Sequence, residues 1–414
     1  MKISNFKFQI SNLLRHPLFT GSAIMVIGHN IFNVGQFVYY FLTIRLLNTS
    51  QYGDLAAIIS ILGIIGIIQL AFGLTVVKFV ASQKTKAAVS NLIKWFNWWG
   101  ILAGVVAAAV LLLLSSFISS FLNLTEPNIL YVLSPMLPLL VIIYIYRSIL
   151  QGLLKFKIYV ASLIVDVVVR IVATVLLIIL GTALFGAVIG MLIGMVSGFV
   201  TTRLALATYL SGKRGKKPEI TPLLKYSFPV FMQSLAFTSF YSTDILLVKH
   251  FFSPQDAGTY AYLSVLGRIA LFCTSPITST MFPIVAKQFT NGQPYHRIFY
   301  LCLLFVTSIS LFVVILFKLI PDIPISLLNK SEGGEILWWF GLFMALLGVA
   351  LLFIQFYLSI SETRPVWFFV LAATLQAVLI WFIHPSLLSV VQISILSTAL
   401  LVVALLVYFP YHKK

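Results

Sequence analysis

"RLLNTSQYGDLAA", residues 45–57, returns in looser form as "HFFSPQDAGTYAY", residues 250–262, a shift of 205 positions in a chain of 414. The same shift, without a gap, lays "FVASQ" at 79–83 on "IVAKQ" at 284–288, and it matches Gly53 to Gly258, Ala56 to Ala261, Ile64 to Ile269 and Gln83 to Gln288. A repeat half a chain long means two copies of one unit. The residues around it say what that unit is.

Hydrophobic residues make up 60% of the chain and charged residues 9%, against roughly one-quarter charged in soluble domains. This composition is that of an integral membrane protein. Apolar runs long enough to cross a core of about 30 Å recur along the whole length, so helices rather than a barrel satisfy the backbone. No soluble domain is left over. The runs give about twelve spans, beginning near Leu18, Asp54, Ala88, Asn128, Ile158, Leu184, Leu223, Asp256, Arg297, Glu335, Arg364 and Ser386. The first follows an amphipathic "KISNFKFQISNLLRH" and lacks a small-residue cleavage pattern, so it reads as a span and not a removable signal.

The net charge of +17 is scattered singly between apolar runs, which argues against a nucleic-acid partner. Orientation explains it better. Lys2, Lys7, Arg15, Lys78, Lys84, Lys86, Lys94, Arg147, Lys155, Lys157, the Lys213–Lys225 group, Lys287, Arg297, Arg364, Lys413 and Lys414 sort to one side, leaving mainly Arg45, Lys249, Lys318 and Lys330 on the other. The positive-inside rule then places both termini in the cytoplasm. Cys273 and Cys302 lie in apolar runs with no CxxC spacing, so no disulfide framework, metal site or cofactor is indicated.

"SGKRGKKPEITP", residues 211–222, is basic and contains Gly and Pro between six spans and six. It reads as a cytoplasmic linker between an N-terminal bundle, 1–210, and a C-terminal bundle, 223–414. Six spans per copy return the chain to its starting side, so the halves are related by an axis along the membrane normal, with substrate expected at mid-membrane between them.

Polar groups inside spans are costly and mark candidate sites. Ser162, Asp166, Arg170 and Thr174 follow at spacings of four and form one stripe. Two readings stay open: a self-neutralising intrahelical pair, or an arginine that meets an anionic substrate while Asp166 holds it. Gln233, Phe237, Tyr241 and Asp244 share a face in the seventh span, and Tyr260, Ser264 and Arg268 share one in the eighth. Asp244 and Arg268 are expected at comparable depth, placed to pair across the hairpin. Aromatic rings beside amides and carboxylates suit sugars, and helix–helix polar packing is the plain alternative. The first span carries His29, Asn33 and Gln36 along one side, with Asn30 beside them. Arg147, near the inner end of the fourth span, is placed either to reach headgroups or to line a vestibule. No Walker, HExxH or Ser–His–Asp pattern supports an enzyme.

In "FLTIRLLNTSQYGDLAAIISILGIIGIIQLAFGLTVVKFVASQ" and "YSTDILLVKHFFSPQDAGTYAYLSVLGRI", the chain resembles the multidrug/oligosaccharidyl-lipid/polysaccharide (MOP) flippase superfamily, in its polysaccharide-export and oligosaccharide-flippase branch. The shared pattern is a helix end, a polar turn with tyrosine and glycine, and a second helix closing on Gly73 and Lys78; in the second copy Asp244 matches the acid that often precedes "ILLVKHF"-like text. The resemblance implies an all-α integral membrane protein of two six-helix bundles in a V, alternating between inward- and outward-open forms in the cell membrane. It implies a monomer whose partners are membrane lipids and a lipid-linked oligosaccharide, the headgroup crossing a polar cavity while the polyprenyl tail stays in lipid. Cationic cavity residues would meet the pyrophosphate: Arg170, Arg268, Arg147 and Lys78. Pro283 stands opposite Lys78 and Gly63 opposite Arg268, so that cavity should be electrostatically asymmetric. For these arginines to act on substrate, Arg170 and Arg268 should be exposed to a wet, net-cationic chamber.

A proton- or sodium-coupled multidrug exporter of the same fold is the alternative, using Asp166 or Asp244 as its cation site. A membrane glycan polymerase or ligase would need a larger outer loop than "PDIPISLLNKSEGGE".

Overall fold

The computed structural model describes residues 17–83, 85–210 and 221–409. The linker expected at 211–222 lies almost wholly outside the described residues. Twelve long helices are described: α1 (Pro17–Leu46), α2 (Thr49–Ser82), α3 (Lys86–Leu113), α4 (Met136–Gly152), α5 (Phe156–Leu177), α6 (Ala183–Leu210), α7 (Thr221–Phe251), α8 (Pro254–Thr290), α9 (His296–Leu319), α10 (Gly334–Ser359), α11 (Pro365–Phe382) and α12 (Leu387–Tyr408). Short helices at Ser115–Phe121, Ile129–Leu133 and Asp322–Leu327 occupy the connections. Among the described residues, nine helical segments are long and apolar enough to cross a membrane, and one of them, Phe156–Tyr209, runs through both α5 and α6. The fold is therefore all-α and membrane-spanning.

The residues form two compact units. Among the described residues, one holds those within 17–46, 68–117 and 126–227, and the other those within 47–67, 118–125 and 228–409. Helix α2 thus belongs to the second unit over its first turns and to the first unit from residue 68 onward.

In the first unit, α5 is packed between α6 and α1, and α3 lies on α4. The α5–α6 hairpin turns within a single π-helical segment, Ile178–Thr182, which Gly181 allows by taking φ +87°. Gly186, Gly190, Gly194 and Gly198 recur every four residues along α6 and present bare backbone to α5. A Cβ on Gly190 would lie 2.7 Å from the Thr174 nitrogen, and one on Gly194 would lie 2.7 Å from the Asp166 carbonyl oxygen. The polar stripe of α5 is what fills this groove.

In the second unit, α8 packs on α10 and α9, and α10 packs in turn on α9 and α12. Pro276 and Pro283 lie inside α8. Its first turn is fixed by Ser253, whose hydroxyl accepts from the Asp256 N–H, with Pro254 supplying a pre-set φ. The buried faces are dominated by aromatic and branched side chains, among them Tyr260, Phe340, Phe343 and Phe353.

Candidate functional site

The first unit gathers its charges around Asp166. The Arg170 Nη2 donates to Asp166 Oδ1 at 2.6 Å, and the Arg147 Nη2 donates to Oδ2 at 2.9 Å. Arg147 also donates through Nε to the Ser162 hydroxyl (3.1 Å) and through Nη2 to the Ser162 carbonyl (3.0 Å). The remaining reach of Arg170 goes to α1, where its Nη1 donates to Gln36 Oε1 at 2.8 Å and its guanidinium sits 5.8 Å from the Tyr39 ring centre. Two guanidiniums against one carboxylate leave one formal positive charge inside the helices. Each charge is hydrogen-bonded, as burial requires.

This answers the two open readings of the stripe in part. The Asp166–Arg170 pair exists, but it is a triad with Arg147, which is buried against Ser162. Arg170 is also less open than an exposed chamber residue: its side chain is 9% exposed.

Helix α1 has three faces. Gly28 and Gly35 lie against Val160 and Val167 of α5. Ile27, Ile31, Val34 and Val38 form an exposed apolar face. His29, Asn33 and Gln36 form the third, with His29 and Asn33 exposed and Gln36 half-buried. The His29 Nδ1–H donates to the Met25 carbonyl (3.1 Å), so Nε2 is left to accept from the Tyr159 hydroxyl at 3.2 Å. Gln36 is thus the link between an exposed polar face and the buried Arg170. The Lys78 side chain lies outside the described residues.

In the second unit Asp244 is fully buried and solves its burial differently. Its Oδ2 accepts from the Tyr260 hydroxyl at 2.8 Å and its Oδ1 from the Ile245 N–H at 2.8 Å. The expected Asp244–Arg268 pair does not form. Asp244 stands seven residues from the end of α7 and Arg268 fourteen from the start of α8, or about 10 Å and about 21 Å along antiparallel helices at 1.5 Å per residue. Tyr260, one residue off in level, takes the carboxylate instead. Arg268 is half-buried, donates to the Tyr241 carbonyl at 2.9 Å and lies 4.7 Å from the centre of that ring. Phe237 meets Tyr241 edge-on at 5.3 Å, and Gln233 is buried on the same helix. A further polar node joins Gln376 Nε2 to the Phe240 carbonyl (3.1 Å) and the Ser394 hydroxyl (2.8 Å).

One charged cluster was missed. Lys249 Nζ lies 2.5 Å from Asp54 Oδ1, with the two side chains 1% and 0% exposed. The sequence analysis placed Lys249 on the outer side and Asp54 at the start of a span and did not join them. Cys273 and Cys302 are free thiols, and among the described residues no cluster of His, Cys, Asp or Glu assembles to hold a metal.

Among the described residues, long helices build a membrane-crossing fold with buried charge in both units. The sequence family described as "Polysaccharide biosynthesis protein" matches residues 18–289, about two-thirds of the chain, and the protein belongs to that family. No curated protein is significantly similar in sequence. Among solved structures, an inward-facing multidrug resistance MATE transporter of the MOP superfamily matches with a TM-score of 0.71 at 13% identity, over 92% of this chain and 94% of that one. The lipid II flippase MurJ, in an inward closed conformation, matches at 0.70 and 15% identity, over 92% and 87%. A MOP transporter from Pyrococcus furiosus Vc1 (DSM3638), described as having a binding pocket of reversed polarity, matches at 0.62 and 16%, over 97% and 98%. At these identities the likeness concerns the fold.

Proposed function

We propose that the protein is a flippase that carries a polyprenyl-(pyro)phosphate-linked oligosaccharide from the cytoplasmic to the outer leaflet of the cell membrane by alternating access, with both termini cytoplasmic. The observation that carries this reading is the Arg147–Asp166–Arg170 triad. It leaves a net positive charge inside the first unit, and Gln36 joins it to the exposed polar face of α1. A phosphate group is drawn to such a charge. The polar His29–Asn33 face beside it suits sugar hydroxyls. Membership in a polysaccharide biosynthesis family supports the same cargo.

The exporter reading has one observation of its own. Asp244 is a buried carboxylate that forms no salt bridge among the described residues, as a cation site requires. Asp166 is unsuited to that role, because both of its oxygens are held by guanidiniums.

The test is reconstitution in liposomes with a fluorescent lipid-linked oligosaccharide. The unaltered protein moves the lipid between leaflets, whereas Arg170→Gln and Arg268→Gln each lower the rate by at least about tenfold, the loss of a charge-assisted contact, while folded protein persists in the membrane. Normal rates in both variants remove these arginines from the mechanism. Movement of cationic dyes but not of the lipid-linked saccharide transfers the assignment to the exporter.

A further inference from the structure

The two glycines that the repeat makes equivalent touch one another. A Cβ on Gly53 would lie 2.9 Å from the Gly258 nitrogen, and a Cβ on Gly258 would press into the Thr49 carbonyl oxygen. The starts of α2 and α8 therefore cross backbone to backbone at related positions of the two copies. Beside the crossing lies the buried Lys249–Asp54 pair, and the Thr125 N–H donates to Asp54 Oδ2 at 3.0 Å with the Thr125 hydroxyl on the same oxygen. Asn123 Nδ2 donates to the His250 carbonyl (2.8 Å), and the His250 Nδ1–H donates to the Phe121 carbonyl (2.6 Å), its ring stacked on Phe121 at 4.0 Å. Lys330, from the connection before α10, donates to the Leu47 carbonyl at 3.1 Å. Apart from the Thr125–Asp54 bonds, each of these contacts ties a segment from the first half of the sequence to one from the second. Segments 47–67 and 118–125 are grouped with residues from 228 onward in one compact unit.

We propose that the Lys249–Asp54–Thr125 cluster, seated on the Gly53–Gly258 crossing, is an ionic latch that holds the outer ends of α2 and α7–α8 together and is broken and remade in each transport cycle. Buried and paired, the two charges stabilise the closed form only as long as both are present; either one alone demands water, which only a parted crossing admits. The glycines allow the backbones to approach closely enough to exclude that water. The latch depends on alternating access, whatever cargo is carried.

The test reads opening without cargo. Ser242 is 3% exposed and lies two turns inward, where a Cβ on Gly63 of α2 would be 3.9 Å from its hydroxyl. In a background with Cys273→Ser and Cys302→Ser, a Ser242→Cys reporter is exposed to a membrane-impermeant maleimide from the outer side. Asp54→Asn and Lys249→Met each speed labelling by about tenfold or more, because the closed population falls. Asp54→Asn combined with Lys249→Met removes both charges and returns labelling toward the parent rate. Gly258→Ala, which alters no charge, speeds labelling by keeping the crossing apart. The proposal is overturned by unchanged labelling in the single variants, or by a double variant that labels as fast as they do. If the charge variants fail to accumulate in the membrane, Gly258→Ala decides alone, and parent-like labelling then refutes the latch. A protein that flips no lipid-linked saccharide yet shows this labelling pattern would refute the cargo and keep the latch.

Discussion

Asp166 and Asp244 are both carboxylates within long helices, both buried, and held in opposite ways. Asp166 is gripped by two guanidiniums from α4 and α5. Asp244 has a phenol and a backbone N–H. The first arrangement sets two guanidiniums on one carboxylate, so removing Asp166 strands both of them while removing either arginine leaves a matched pair. The second leaves a carboxylate whose loss strands only neutral donors. Burial alone therefore does not say what a charge is worth; the count of partners left behind does.

The largest expected effect breaks that comparison directly. Asp166→Asn leaves two guanidiniums buried against a neutral amide and should cost about 3–5 kcal/mol, whereas Asp244→Asn keeps an acceptor for Tyr260 and should cost about 1 kcal/mol. Unfolding midpoints of the detergent-solubilised variants measure the difference, and equal losses would show that charge count is not what separates the two sites. Next in size is Gly190→Ala, whose Cβ would meet the Thr174 backbone. Overpacking of about 2 kcal/mol is expected there, and a stability equal to the parent's would mean that α5 and α6 can move apart freely. Tyr260→Phe removes one hydrogen bond to a carboxylate and should cost about 1.5 kcal/mol, a loss that should vanish in the Asp244→Leu background if the two act as a pair. At the bottom stands Arg364→Ala, at a surface pair whose arginine side chain is 82% exposed. Its effect should stay within about 0.5 kcal/mol and sets the baseline for the rest.

The spans were legible because apolar length is a one-dimensional property. Helices expected near Leu18, Ile158 and Arg297 begin at Pro17, Phe156 and His296. The second span begins at Thr49 rather than near Asp54 because its first turn, "TSQYG", is polar. The stripe Ser162–Asp166–Arg170–Thr174 was legible through its spacing, and its buried setting agrees with the glycines that follow it. What could not be read was pairing across helices. Arg147 lies nineteen residues before Asp166, and only the α4–α5 packing joins them. The Asp244–Arg268 pairing failed because depth along two antiparallel helices was judged from membership in neighbouring spans. Lys249 and Asp54 were legible only as an outer-side charge and a span start, and nothing in their own spacing joined them. The Gly53–Gly258 match lies beside them, where two backbones meet.

The 54-residue run Phe156–Tyr209 folds back on a single five-residue bend, so almost no polar material separates α5 from α6. On α5 the carboxylate and guanidinium four residues apart neutralise each other within one helix. Arg147 is the one charge of α4, so the surplus positive charge of the first unit is a property of packing between helices and not of any single span.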